Sequence, residues 1–528
     1  MYIFCVSFIV LNENATEVYM NKQIKKDIES GCDYILPDYM GDIKKILSGR
    51  ARCVPNGKFL TDSGVEITGA VEYEVLYADS ENRLTAINIS SDYSAVVPAN
   101  AELYVDTWAE ARVGSFNIRI TGPRKMSLKS AVEVNATVSE HSSIGIEGDA
   151  FESSNSVEKI SRVINVENSL YGKTLEREFA EEGERLPNTL PEDIEIISAT
   201  GSVRVYETRP VDDGVEIKGE LVIVAIVRTN EQPPFAIRRA IPFEEVVEIE
   251  GITRDMQVMG DGYITSAVCS IAEEMEESVI NLNVIAEFEA CAYTTEAIDV
   301  VTDAYLKESE TKCAYEVLEY QTSGACQIID AVINEKVARA DVACAEARDI
   351  ISLNCDARAS ECALTASGVE ISGELAISGV ACEINVDNTE TYIPIKITVP
   401  YHTNVNLNCQ ITDKSRVSCF VTPVLCEGSF DAEDMYLKCA LKVKVKVDNI
   451  ESVTRLSECY VGAAVTEVPT SSRITVYYPD KNDTLFGVAK RFHTTAAKLA
   501  CDNPLPDEAT AAIDAASSLA GVKKLIIR

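Results

Sequence analysis

Side-chain chemistry needs nucleophiles, bases or metal ligands at usable spacing, and this chain offers few. Its three histidines, His141, His402 and His493, lie in SEHSS, PYHTN and RFHTT, none beside a nucleophile or ligand motif. The sequence carries no H-E-x-x-H, G-x-S-x-G or EF-hand loop pattern. Gly172-Lys173-Thr174 imitates the end of a phosphate-binding loop, but Glu167 stands where that loop needs its first glycine, so the segment cannot wrap a phosphate. Glu244-Glu245, Glu273-Glu274 and Glu276-Glu277 are carboxylate pairs of the kind glycosidases place across a sugar cleft. Nothing around them reads as a cleft, and solvated charge is the expected role. The reading is of a protein that is not an enzyme, with no cofactor and no metal.

Seventeen cysteines remain to be placed, fourteen of them between Cys269 and Cys501. No pair has the C-x-x-C spacing of a zinc or redox motif, the count is odd, and the spacings do not repeat. They are expected to be free thiols, acting as small buried hydrophobes in a reducing compartment.

The elements that would hold these groups belong to a long chain of 528 residues, 46% hydrophobic and 25% charged, enough for several cored domains. The charge, 48 Lys+Arg against 84 Asp+Glu, is −36, a field that repels nucleic acid and anionic lipid headgroups. The apolar start MYIFCVSFIVL lacks a basic flank and is far shorter than the ~20 residues a membrane-spanning helix needs. Residues 1–19 therefore read as an uncertain leader or a mis-assigned start, with Met20 as the alternative first residue and a helix-compatible segment, NKQIKKDIES, after it.

Self-similarity organises the rest. Ser-Gly-Val-Glu-Ile-Thr-Gly at 63–69 returns as Asp-Gly-Val-Glu-Ile-Lys-Gly at 213–219 and Ser-Gly-Val-Glu-Ile-Ser-Gly at 367–373. Its first glycines, Gly64, Gly214 and Gly368, are 150 and 154 residues apart, and Asp42-Ile43, Asp193-Ile194 and Asp349-Ile350 precede them by similar intervals. Each motif opens a strand-like run, VEYEVLY after Gly69 and LVIVAIV after Gly219, the second apolar on both faces and so expected to be the more central. The leading glycines fit turns that need positive φ. A second strand-rich block follows each time: AVEVNATV at 131–138, NLNVIAEFEA at 281–290 and YLKCALKVKVKV at 436–447. In the last, Lys442, Lys444 and Lys446 alternate with Leu441, Val443, Val445 and Val447, and the lysines read as a solvated face or edge protection. Short connections predict antiparallel sheets.

The expected fold class is mainly β: three tandem antiparallel repeat domains at 20–150, 151–300 and 301–461, a linker at 462–472, and a small β-α-α-β module at 473–528. In that module ITVYY is a strand, Asp483 or Thr484 caps a helix carrying Leu485, Val488, Ala489 and Phe492, a second helix follows Thr494-Thr495, and KKLIIR closes the sheet.

Tyr477, Asp483-Thr484-Leu485, Phe486, Val488-Ala489, Phe492, Leu499 and Asn503 make this module resemble LysM. The resemblance implies a groove for GlcNAc-containing chains between the turn Lys481, Asn482, Asp483, Thr484, Leu485 and the loop Asn503, Pro504, Leu505. Asn482 replaces the turn glycine, Pro479 removes a backbone donor, and an insertion at 507–520 lengthens the second loop, all departures from the glycan-binding pattern. The repeated motif, with YILPDYMGDIKKIL before its first copy, is similar to the spore coat-associated SPOCS domain, the first copy being nearest the pattern and the third furthest from it. Tandem SPOCS repeats with one C-terminal LysM imply a non-catalytic scaffold in the mother-cell cytoplasm, at the forespore surface and in the spore coat. Its implied partner is the coat ATPase, stage IV sporulation protein A, with LysM as the contact module. A wall-associated binder of peptidoglycan or another GlcNAc polymer is the alternative.

Overall fold

The computed structural model describes residues 16–465, 474–503, 519 and 521–527, apart from 149, 151–156, 175, 188, 231, 275–276, 343, 345, 388 and 408. The chain is mainly β, and among the described residues the strands pair with one another antiparallel, with one isolated parallel bridge between Glu147 and Glu458.

The first strands are β1 (Thr16–Ile35), β2 (Ile43–Thr61), β3 (Gly64–Asp79), β4 (Leu84–Val97), β5 (Tyr104–Gly122) and β6 (Lys125–Ile144). They form two sheets, the meander β2-β3-β4 and the sheet β1-β6-β5. Next come β7 (Val157–Lys173), β8 (Arg177–Pro187), β9 (Ile194–Val211), β10 (Gly214–Thr229), β11 (Phe235–Glu248), β12 (Gln257–Glu274) and β13 (Glu277–Leu306). Here the meander is β11-β10-β9, and β12-β13-β7 is completed by β8 pairing further along β13. The third set is β14 (Ser309–Ala338), β15 (Asp349–Thr365), β16 (Gly368–Ile384), β17 (Glu390–Asn406), β18 (Arg416–Phe430) and β19 (Asp434–Ala464), in sheets β15-β16-β17 and β14-β19-β18.

Both sequence landmarks fall at fixed places in this pattern. Ile43, Ile194 and Asp349 open β2, β9 and β15, while Gly64, Gly214 and Gly368 open the central strands β3, β10 and β16. Gly64 has φ +129°, and a Cβ built there would lie 2.1 Å from Val97 O, so a side chain is excluded on two counts. At the second copy the left-handed residue is instead Asp213, φ 56°, one place earlier. The second strand-rich blocks lie in β6, β13 and β19, each the middle strand of its sheet.

Four expectations are corrected. NKQIKKDIES is part of β1, not a helix, because Ile24 and Ile28 satisfy a period of two as well as a helical spacing and the segment pairs with β6. Those pairings begin at Thr16, upstream of Met20. LVIVAIV is no more central than VEYEVLY: β3 and β10 are both middle strands, and in β3 Glu74, Leu76 and Ala78 are buried on the second face as well. The boundary expected at 300/301 falls inside β13, the turn coming at Lys307-Glu308, because repeat arithmetic locates periods and not turns. Residues 462–464 continue β19, and the remainder of the expected linker from 466 onward lies outside the described residues.

The three meanders meet. Leu47, Leu76, Ala78 and Leu84 from the first set, Ile226 from the second and Ile351, Val380, Cys382 and Tyr392 from the third form one buried cluster. At ~25 cal/mol per Å² of apolar area removed from water, these contacts favour the sets associating over standing free.

Candidate functional site

The C-terminal elements are β20 (Thr475–Tyr477), α1 (Leu485–Arg491), α2 (Ala496–Asp502) and β21 (Leu525–Ile527), with β20 and β21 paired antiparallel. Thr484 caps α1, its Oγ1 accepting from Gly487 N at 3.0 Å, and Thr495 caps α2 by accepting from Lys498 N at 3.0 Å. The Asp483 carboxylate accepts from Tyr477 Oη at 2.5 Å and from Asp480 N at 2.9 Å, which holds the turn closed. The Tyr477 hydrogen bond, followed by that from Asp480, pulls the Asp483 carboxyl below its ordinary range.

The expected groove residues separate into different environments. Lys481 and Asn482 are exposed at the tip of the turn, Asp483 and Thr484 are half-buried and engaged locally, and Leu485 is buried in the module core. Asn503 is buried and fully used: Nδ2 donates to Leu499 O and Ile526 O at 2.9 Å each, and Oδ1 accepts from Ile526 N at 2.6 Å. It ties α2 to β21 and has no donor left for a ligand. Pro504 and Leu505 lie outside the described residues. From the expected insertion, Leu519 is buried and its N–H donates to Asp483 O at 2.9 Å, so chain from the second loop sits directly on the first.

The module does not keep a core to itself. Tyr305 of β13 packs edge-to-face on Phe486, with ring centroids 5.1 Å apart, and its hydroxyl donates to Thr494 O at 2.5 Å. Tyr305 shares one buried cluster with Leu485, Phe486, Val488, Ala489, Leu499, Leu525 and Ile527, and Ile160 of β7 packs against it. Lys490 reaches Asp303 at 2.5 Å, and His493 Nδ1 lies 3.3 Å from Leu306 O. The module and the β body therefore share one core at their junction: α1 carries apolar side chains on more than one face, and the end of β13 covers the second.

A further constellation escaped the sequence reading. Lys442 and Lys444 are buried and Lys446 is largely covered, because β19 is a middle strand and its second face is covered by the other two sets. Lys442 bonds Asp261 of β12. Lys444 bonds Glu110 of β5 and lies 2.8 Å from Asp261. Lys446 lies 2.8 Å from both Glu167 of β7 and Asp448, and 4.2 Å from the Tyr293 ring centroid. Burial works to raise the Asp261 carboxyl, but Lys442 and Lys444 outweigh it and hold it at about 2. Among the described residues Glu289 makes no ion pair, and desolvation pushes it up to about 7 with Lys444 only partly opposing. A cavity of about 240 Å³ adjoins this cluster, lined by Arg50, Arg112, Glu289 and Asp356 among others. The alternation of lysine with valine was visible; that both faces would be covered was not. The chemistry here is charge neutralisation across sheets, which fixes how the three sets meet.

A mainly β protein of antiparallel sheets, carrying a small β-α-α-β module and an ionic seam between its sheets, is the class these features define. Within it, residues 193–272 match the family model described as SipL, SPOCS domain. The match begins just before β9, covers the meander β9–β11 with the motif at 213–219, and ends in β12. It supports a sporulation and spore-coat-related role. It falls on the second copy of the motif, where the sequence reading placed the first copy nearest the pattern. No curated protein and no solved structure matches the chain. Among the described residues no helix is long and apolar enough to cross a membrane.

Proposed function

We propose that this protein is a non-catalytic scaffold of the spore coat, built from three SPOCS-like repeats and one LysM-like module, that binds the coat ATPase, stage IV sporulation protein A, at the forespore surface in the mother-cell cytoplasm. The observation that carries the reading is the match of residues 193–272 to the SipL SPOCS model. The threefold return of one strand order, with equivalent glycines opening each middle strand, extends it to the rest of the β body.

The C-terminal module is the contact element in this reading. Residues 473–528 hold eight Lys and Arg against six Asp and Glu, a net of +2, whereas residues 1–472 carry 40 − 78 = −38. A module of opposite sign on an acidic body presents a distinct surface to a partner. Within it Lys481 and Asn482 are exposed, with no side-chain hydrogen bond or ion pair to another described residue, and they are the residues assigned to contact. The engagement of Asn503 and the seating of Leu519 on the turn count against the alternative groove for peptidoglycan or another GlcNAc polymer.

The test is capture of purified coat ATPase by full-length protein, alongside sedimentation with purified peptidoglycan and imaging of a fluorescent fusion in sporulating cells. Capture that is lost in a Lys481→Glu/Asn482→Arg variant, together with a fluorescent ring at the forespore, is the expected result. Tight peptidoglycan binding without ATPase capture would give the role to the glycan binder.

A further inference from the structure

The described cysteines are all free thiols, yet they are not scattered evenly. Three pairs stand sulfur to sulfur, and all three lie in the third set of strands. Cys362 of β15 and Cys419 of β18 are 2.8 Å apart and join the two sheets of that set. Cys426 and Cys439 are 3.0 Å apart and are register partners on β18 and β19, with Cys355 of β15 also hydrogen-bonded to Cys439. Cys313 and Cys459 are 3.9 Å apart and are register partners on β14 and β19, next to the point where the C-terminal module docks. Directly opposed residues of an antiparallel pair have Cα atoms about 4.5–5.5 Å apart, within the range a disulfide spans.

We propose that this third set of strands is a built-in site of oxidative modification, in which a peroxide joins Cys362 to Cys419 and Cys313 to Cys459, and more slowly Cys426 to Cys439, without refolding the chain. The inference is independent of the coat reading. Cys362, Cys419 and Cys313 are half-buried and reachable, and Cys459 is buried beside Cys313; Cys426 and Cys439 are both buried, so access alone delays that pair, hydrogen bonds with Cys355 and Cys426 holding the Cys439 thiol low, at about 4.

The chemistry balances within each pair. The thiolate of Cys362 attacks one peroxide oxygen, the O–O bond breaks, a sulfenic acid forms, and the departing hydroxide takes a proton to become water. Cys419 sulfur then attacks the sulfenyl sulfur, the S–O bond breaks, and the oxygen leaves as a second water with the thiol proton. Two thiols are oxidised to one disulfide and one peroxide is reduced to two waters. The hydrogen bond with Cys419 lowers Cys362 to about 7, and the hydrogen bond with Cys459 lowers Cys313 to about 7, with burial opposing and Lys490 assisting in the second case. Both thiols are therefore partly ionised near neutral pH, as the first step requires.

The experiment uses full-length protein carrying Cys501→Ser, which removes the one exposed thiol among the described residues, and Cys5→Ser, which removes the thiol outside them. Hydrogen peroxide is added in small excess, remaining thiols are alkylated, and peptides are mapped without reduction. Expected are 362–419 and 313–459 linkages first, then 426–439, in a protein that forms no chain-to-chain disulfide and melts on the order of 10 °C higher until dithiothreitol is added. Cys362→Ser should remove the first linkage, leave Cys419 open to alkylation and spare 313–459; Cys419→Ser serves if that variant folds poorly. Mixed pairings, sulfinic acids at these positions, or chain-to-chain disulfides as the main product would overturn the proposal.

Discussion

Tyr93 occupies the space a side chain on Gly69 would need: the two are register partners on β4 and β3, and a Cβ built on Gly69 falls 2.4 Å from Tyr93 Oη and 2.5 Å from Val54 O. The same relationship recurs between Phe243 and Gly219, and between Tyr401 and Gly373. In both, the built Cβ lies under 3.0 Å from the ring and 2.0 Å from a backbone oxygen, Arg204 O and Arg358 O respectively. The last glycine of the repeated motif is thus the seat of an aromatic ring on the neighbouring strand, and the ring in turn covers a backbone that has no side chain of its own.

Gly69→Val should therefore destabilise the first set of strands by about 2–4 kcal/mol, since backbone on one side and a buried ring on the other leave no room for relaxation. Tyr93→Leu, which keeps apolar bulk, should be milder. Urea melts of the two variants measure the difference, and equal effects would mean that the glycine is not a packing constraint.

Lys444→Met leaves the buried Asp261 and the largely covered Glu110 with one cation fewer, and should destabilise the protein by about 3–5 kcal/mol. Adding Glu110→Gln should restore part of the loss, because the uncompensated carboxylate is then removed. If the double variant is no better than the single one in denaturant unfolding, the ion pairs are not what aligns the sheets.

Glu289 gives a pH dependence of definite sign. Its folded carboxyl is raised to about 7 from an ordinary 4.5, so the folded state holds more protons than the unfolded one between those values. Its contribution is most favourable below pH 4.5, declines as pH rises to 7, and is constant above. Glu289→Gln should be more stable than the parent at pH 8 by on the order of 2 kcal/mol and nearly equal to it at pH 4.5. Thermal melts across that range check it, and a variant less stable at pH 8 would refute the assignment.

In the C-terminal module, Asn503→Ala removes three hydrogen bonds and should lower module stability by about 2–3 kcal/mol. Lys481→Ala and Asn482→Ala are exposed and should leave melting within ~0.5 kcal/mol of the parent while weakening ATPase capture tenfold or more. A stability loss in the exposed pair would assign the turn a structural role instead.

Tyr305→Ala takes away both the ring against Phe486 and the hydroxyl bonded to Thr494 O. The module should then be cleaved from the β body by a protease at concentrations that leave the parent intact. Unchanged cleavage would show that Lys490 and His493 suffice to hold the two together.

What the sequence by itself determined is local and periodic. The motif at 63–69, 213–219 and 367–373 located three middle strands, the Asp-Ile marks located the strand before each, and the alternation in 131–138, 281–290 and 436–447 located the middle strands of the second sheets. Turn chemistry and period-two patterning act within a few residues, so they can be read along a chain. The β-α-α-β order of the last module followed for the same reason, from capping threonines and helical spacing. Only the tertiary structure decided which faces are covered. Lys442, Lys444 and Lys446 look like a solvated face until Glu110, Asp261 and Glu167 arrive from strands far away in sequence, and Asn503 looks like a groove residue until β21 closes over it. The thiols 57 and 146 residues apart look unrelated for the same reason. Burial and pairing across sheets depend on contacts between segments distant in sequence, and no local pattern encodes which distant segment will supply the partner.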